Sequence, residues 1–146
     1  MKKPLKEILI GKINKSKWWH VTPSDPKAYK SRGKFLASTY SQADFYGRPN
    51  DRPETVNIQN PIYATSENTI LRKLFPKNYT KIIQKYLMKD KNWYKYRIAL
   101  DSKMYSRAKY LGYDAIIILG NNGINYLRRN RKPHSIELNL LYPYGQ

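Results

Sequence analysis

The chain contains no cysteine and only two histidines. Without thiols it has no disulfide framework, no thiolate nucleophile and no cysteine-based zinc site. Two histidines without an HExxH spacing give no basis for a dedicated metal enzyme, and no metal is assigned. Long hydrophobic runs are also missing: the longest, 115–119, is strand-sized and far too short to span a bilayer. The opening Met1–Ile10 is basic, but Lys6 and Glu7 break its apolar part, unlike a secretory leader. These absences predict a soluble protein made in a reducing compartment. Acids are the other scarcity. Ten Asp and Glu face 28 Lys and Arg, which leaves a net charge of +18 on 146 residues.

Such a charge would suit a disordered polycation if there were little to bury. There is enough: hydrophobic residues make up 40% and aromatics 14%, including 14 tyrosines. A chain of this length buries about two-thirds of its unfolded surface, which supports one core. We therefore expect a single basic domain over 1–146, with 1–16 as a basic N-terminal extension. Its charge is uneven, at +8 over 1–34, −2 over 35–70, +10 over 71–110 and +2 over 111–146.

Periodicity and caps predict the elements. Strands are expected over 18–22, 35–37 and 55–58, the last ended by Asn60-Pro61, and helical turns over 24–29 and 41–46. Ser66 is placed to cap a helix carrying Ile70, Leu71 and Leu74. Ile82, Ile83, Tyr86 and Leu87 share one face of the next helix. Asp101 is read as the cap of a third, with Met104, Tyr105, Ala108 and Leu111 inward and Gly112 as its stop. Ala115 to Leu119 reads as a buried strand. Along 135–142, Ile136, Leu138 and Leu140 share one face, and Ser135, Glu137 and Asn139 the other. Strands at both ends with helices between them indicate an α+β fold.

Glu137 is a lone carboxylate in a hydrophobic strand of an acid-poor chain, so it faces either solvent or a cleft. His20 sits beside Trp18 and Thr22 in strand parity. Phe35, Tyr40, Phe45 and Tyr46 form an aromatic group that an ordinary core would absorb. In Lys91-Asn92-Trp93-Tyr94-Lys95-Tyr96-Arg97, lysines interleave with aromatics, a pattern that suits phosphate contacts and base stacking, or a solvated basic face with its rings turned inward.

The order of these pieces says more than each alone: Trp19-His20-Val21-Thr22, then Phe35-Leu36-Ala37-Ser38-Thr39-Tyr40 running on to Phe45-Tyr46-Gly47, then Asn60-Pro61, Gly112-Tyr113-Asp114-Ala115, and Ser135-Ile136-Glu137-Leu138. The succession resembles the ADP-ribosyltransferases of the diphtheria-toxin-like His–Tyr–Glu branch, including small phage and bacterial relatives, from about residue 17 to the end. That resemblance implies a split β-sheet core with flanking helices, and NAD as a consumed substrate rather than a Rossmann-bound cofactor. It implies Glu137 as the catalytic carboxylate and His20 on the adenosine ribose. Thr22 would support the His20 strand, Tyr46 would stack on nicotinamide, and Leu36, Ala37, Ser38 and Tyr40 would line the NAD site. Ser135 stands where arginine-directed members carry a second acid, so arginine is not the expected acceptor. The basic surface suggests an anionic acceptor instead: DNA, RNA or a nucleoprotein machine, met by Arg128, Arg129, Arg131 and Lys132. The alternatives are a non-catalytic nucleic-acid-binding or virion-associated protein, and an NAD glycohydrolase. The same resemblance suggests the cytoplasm of a bacterial or phage-infected host, reached in some cases with a phage particle.

Overall fold

A computed structural model describes residues 3–87 and 91–143. It is an α+β domain in which helices cover both faces of one mixed five-stranded sheet. The chain first forms helix α1 (Leu5–Lys15), strand β1 (Trp19–His20), α2 (Ala28–Arg32), β2 (Lys34–Ala37) and α3 (Tyr40–Asp44). It continues through β3 (Pro61–Ala64), α4 (Glu67–Leu74), α5 (Tyr79–Tyr86), α6 (Trp93–Tyr110), β4 (Ala115–Ile118), α7 (Gly123–Arg128) and β5 (Glu137–Leu140). The spatial order is β1-β2-β5-β4-β3, with only β3 and β4 parallel. β5 pairs with β2 on one side and β4 on the other, so the strands form one continuous sheet and not two half-sheets.

Register fixes what each face carries. One row across all five strands reads Trp19, Ala37, Glu137, Ile118, Ala64. The next reads His20, Leu36, Leu138, Ile117, Tyr63, and its side chains leave the opposite face because strand residues alternate. Leu36, Leu138 and Ile117 pack with Leu9 and Ile13 of α1 and Leu127 of α7. Across the sheet, Ile62, Ala64 and Ile116 pack with Ile70 and Leu71 of α4, Ile82 of α5 and Leu100 and Met104 of α6. The alternation expected over 135–140 is therefore the one observed.

Several sequence expectations are corrected. Residues 5–15 are no extension: Leu9 and Ile13 are fully buried, and Asn14 clips Ile58 through bonds of 2.8 and 3.0 Å. The 55–58 strand is absent, and β3 instead begins at Pro61, a first-residue position where a missing N–H breaks no ladder. Asp101 lies inside α6 rather than at its start, and α7 occupies a segment with no expected helix. The Ser66 cap forms as expected, its hydroxyl accepting from the Thr69 N–H. Among the described residues, no helix is long and apolar enough to cross a membrane.

Candidate active site

Glu137 opens β5 between Ala37 and Ile118, in the middle of the sheet, and is exposed on the face that α4–α6 cover only in part. Its backbone is clamped one residue earlier. The Ile136 N–H donates to Ser38 Oγ (3.3 Å) and the Ile136 carbonyl accepts from Gln42 Nε2 (3.2 Å). Ser38 Oγ in turn donates to Gln42 Oε1 at 2.8 Å. Gln42 stays in place because Thr39 caps α3 by accepting the Gln42 N–H. The Thr-x-x-Gln spacing of a capping box was the signal for Gln42 in the sequence. Here the Gln side chain reaches β5 instead of its own cap.

Three of the chain's ten acids converge here. The Arg97 guanidinium bonds both carboxylate oxygens of Glu67 (2.8 and 2.6 Å) and Oδ1 of Asp101 (3.1 and 2.5 Å). Burial works against the Arg97 charge, but these bonds outweigh it and hold its pKa above the ordinary value. Burial also pushes the Asp101 carboxyl up, opposed by Arg97. A guanidinium forked between two carboxylates at this range makes charge-assisted bonds to both. Burial likewise pushes the Glu137 carboxyl up, with Glu67 and Asp101 adding to the effect and Arg97 opposing it. The Tyr46 hydroxyl is raised by burial and then by Glu137, which places that ring within the carboxylate's field. Arg97 and Asp101 went unrecognised in the sequence, although their i,i+4 spacing inside one helix was visible.

Aromatic rings stand on the same face of the sheet. Tyr40 stands edge-on to Trp19, the first member of the Glu137 row, with ring centroids 5.1 Å apart. Phe35, Tyr40, Phe45 and Tyr46 are 46%, 45%, 88% and 69% exposed, so the core has not absorbed them.

His20 is 4% exposed at the end of β1. Its Nδ1 lies 2.7 Å from the Phe35 carbonyl and its Nε2 lies 2.8 Å from the Tyr29 hydroxyl. A carbonyl only accepts, so Nδ1 carries the proton and Nε2 accepts from Tyr29. Burial lowers the His20 pKa, which keeps the ring neutral. Both nitrogens are therefore held by the protein, and a ribose contact through Nε2 requires the Tyr29 hydroxyl to give way. A cavity of about 80 Å³ lies beside them, lined by His20, Tyr29, Arg32 and Phe35.

Other expected site residues fall elsewhere. Ala37 flanks Glu137 and Ser38 holds its strand, but Leu36 is 4% exposed in the aliphatic core on the opposite face. The pleat puts it there, since it neighbours Ala37. Thr22 lies beyond β1 and donates to Asn50 Oδ1 at 3.0 Å, and the Asn50 N–H donates to the His20 carbonyl at 2.8 Å, so Thr22 meets the strand through Asn50. The 128–132 run closes α7, which packs against α1 beneath the other face. Asn130, at φ 56°, turns the chain out of the helix, and the arginines suit the negative end of the helix dipole. Lys132 Nζ sits 5.1 Å from the ring centroid of the fully buried Trp18, where burial lowers its pKa. The charges that act on Glu137 come from α4 and α6 instead.

A larger groove of about 520 Å³ lies about 10 Å away along the strands, beside Lys34 and Leu140. Its carboxylates are engaged: Glu54 by Lys34 at 2.6 Å, and Asp114 by the Gln59 and Asn60 N–H groups. Among the described residues, no group of three His, Asp or Glu side chains is arranged to hold a metal ion. No family model, curated protein or solved structure matches the chain.

Proposed function

We propose that the chain is an NAD-consuming mono-ADP-ribosyltransferase of the diphtheria-toxin-like kind, with Glu137 as its catalytic residue. The observation that carries this reading is the setting of Glu137. An exposed carboxylate stands at the centre of the sheet, the residue before it clamped through both its N–H and its carbonyl, with the Tyr46 hydroxyl within its field. The ordered motifs of the sequence give the chemistry its name.

NAD is the substrate. As the bond from ribose C1′ to the nicotinamide nitrogen breaks, its electron pair leaves with nicotinamide and positive charge develops on the ribose. Glu137 stabilises that charge, as carboxylates do for oxocarbenium-like centres in glycoside hydrolysis. A carboxylate held in place before the reaction does this without reorganising. An acceptor nucleophile then bonds to C1′ and releases its proton to solvent. Tyr46 offers an electronegative ring face to the flat cationic nicotinamide. Arg32, which acts on Asp101, offers a charge that suits a phosphate.

Purified protein incubated with NAD should release nicotinamide, and Glu137→Gln should slow that release about a hundred- to a thousandfold. Full activity in Glu137→Gln would sink the assignment. Release of free ADP-ribose with no labelled macromolecule would make the enzyme a glycohydrolase. No release at all would leave a basic binding protein.

A further inference from the structure

Among the described residues, the first turns of α6 carry large hydrophobic side chains that stay exposed. Trp93 is seven and eleven residues before Leu100 and Met104, which are buried in the core. Helical geometry therefore places it on the same side, and Tyr94 precedes Arg97 and Asp101 in the same way. Yet Trp93 is 60% exposed, Tyr94 49% and Ile98 45%. Trp93 and Tyr94 stand edge-to-face, 6.4 Å apart. Beyond α3, Phe45 and Tyr46 form a second exposed edge-to-face pair, 5.6 Å apart. Tyr46 lies within the fields of both Glu137 and Arg97, and the Trp93–Tyr94 pair sits one turn before Arg97 on the same helix.

The surroundings select the occupant. Lys91, Lys95 and Arg48 are exposed beside these rings, on a chain of net charge +18. Cations spaced along a surface take phosphates, and exposed ring faces between them take unpaired bases. A duplex keeps its base faces stacked inside and has nothing to offer the rings. An acidic protein would pair with the same lysines, and it is the competing outcome of the binding test. We propose that this surface binds single-stranded nucleic acid, with bases stacked on the Trp93–Tyr94 and Phe45–Tyr46 pairs, and that the strand is the acceptor presented to Glu137. Its role as acceptor rests on the transferase reading; the binding itself does not. The surface also replaces the 128–132 run as the expected acceptor contact.

The test is binding without NAD, read by anisotropy of a labelled single strand of about a dozen nucleotides, a length matched to typical single-strand sites. Heparin serves as a polyanion without bases, and a duplex of the same sequence as a second comparison. Trp93→Ala and Tyr94→Ala should each weaken single-strand binding about five- to a hundredfold. Heparin binding should hold within about twofold, since no charge is removed. Trp93→Phe, which keeps a ring face, should restore most of the affinity. Phe45→Ala, on the other pair, should weaken the single strand as well. Unchanged single-strand affinity in the α6 variants, or an equal loss toward heparin, overturns the proposal. A surface built for a protein partner would give the first of these results. Failure here leaves NAD cleavage untouched, because nicotinamide release is measured with no oligonucleotide present.

Discussion

Beneath α1 and α7, Leu36, Leu138 and Ile117 from three adjacent strands close against Leu9, Ile13 and Leu127, all 4% exposed or less. One residue along, on the other face, the same three strands present Ala37, Glu137 and Ile118. There α4–α6 cover the β3–β4 half and the short α3 packs on β1 and β2, while Glu137 and the rings of Tyr40 and Tyr46 stay exposed. Both faces come from the same strands, so the alternation of side chains is what separates a dry core from an exposed carboxylate. A basic chain gathers three of its scarce acids on the open face because a guanidinium inside the cluster offsets their repulsion.

Neighbouring residues of β5 test that separation most directly. Leu138→Ala removes a side chain that is 1% exposed and should cost about 2–5 kcal/mol of unfolding free energy, read by urea denaturation. NAD cleavage per folded molecule should survive it. Glu137→Gln should do the reverse, abolishing most activity while leaving the unfolding midpoint equal or higher at neutral pH. The sign follows from a folded pKa raised above 4.5 by burial, Glu67 and Asp101. Such a group loses stability as pH rises from 4.5 through its folded pKa, and glutamine has no charge to lose it with. A destabilised Glu137→Gln would mean that the carboxylate belongs to the scaffold.

A smaller effect should come from the clamp. Gln42→Ala removes the bond to the Ile136 carbonyl without touching the carboxylate itself. One hydrogen bond of this kind is worth about 1 kcal/mol, so NAD cleavage should fall about fivefold. Gln42→Glu keeps an acceptor for Ser38 but offers no N–H to the carbonyl, and should not restore the rate. An unchanged pH profile with reduced kcat would mark Gln42 as a positioning residue, whereas a loss confined to stability would make it part of the scaffold alone.

What was legible in the sequence was local. The Ser66 cap, the buried 115–119 run and the parity over 135–140 depend on residues near one another along the chain. Asp101 was misread because a carboxylate four residues after an arginine is compatible with both a cap and an intrahelical pair, and only the packing of α4 beside α6 decides. The N-terminal helix was missed because its lysines masked a spaced set of Leu5, Leu9 and Ile13. Glu137 was legible as an anomaly, but its clamp and its ionic neighbours were not. Gln42, Glu67 and Arg97 lie about 95, 70 and 40 residues before Glu137 and are brought together only by the fold.

The smallest expected effect lies at the boundary between the two faces. His20 is neutral in the fold because burial lowers its pKa, with Lys34 acting in the same direction and the Phe35 carbonyl and Glu54 opposing. Tyr29, on Nε2, completes the set of groups around the ring. An unfolded chain protonates this histidine near 6.5, before the folded one does. The stability it contributes is therefore whole above pH 6.5 and declines as pH falls through the lower folded pKa, by at most about 1.4 kcal/mol per pH unit. Glu137 has the opposite sign in the acid range, so the measurement belongs in the Glu137→Gln background. Urea midpoints taken downward from pH 7.5 to about 5 should decline there, and adding His20→Gln should flatten the decline. Equal slopes in the single and double variants would show that His20 takes up its proton as readily folded as unfolded, and that Tyr29 and Phe35 do not hold it neutral.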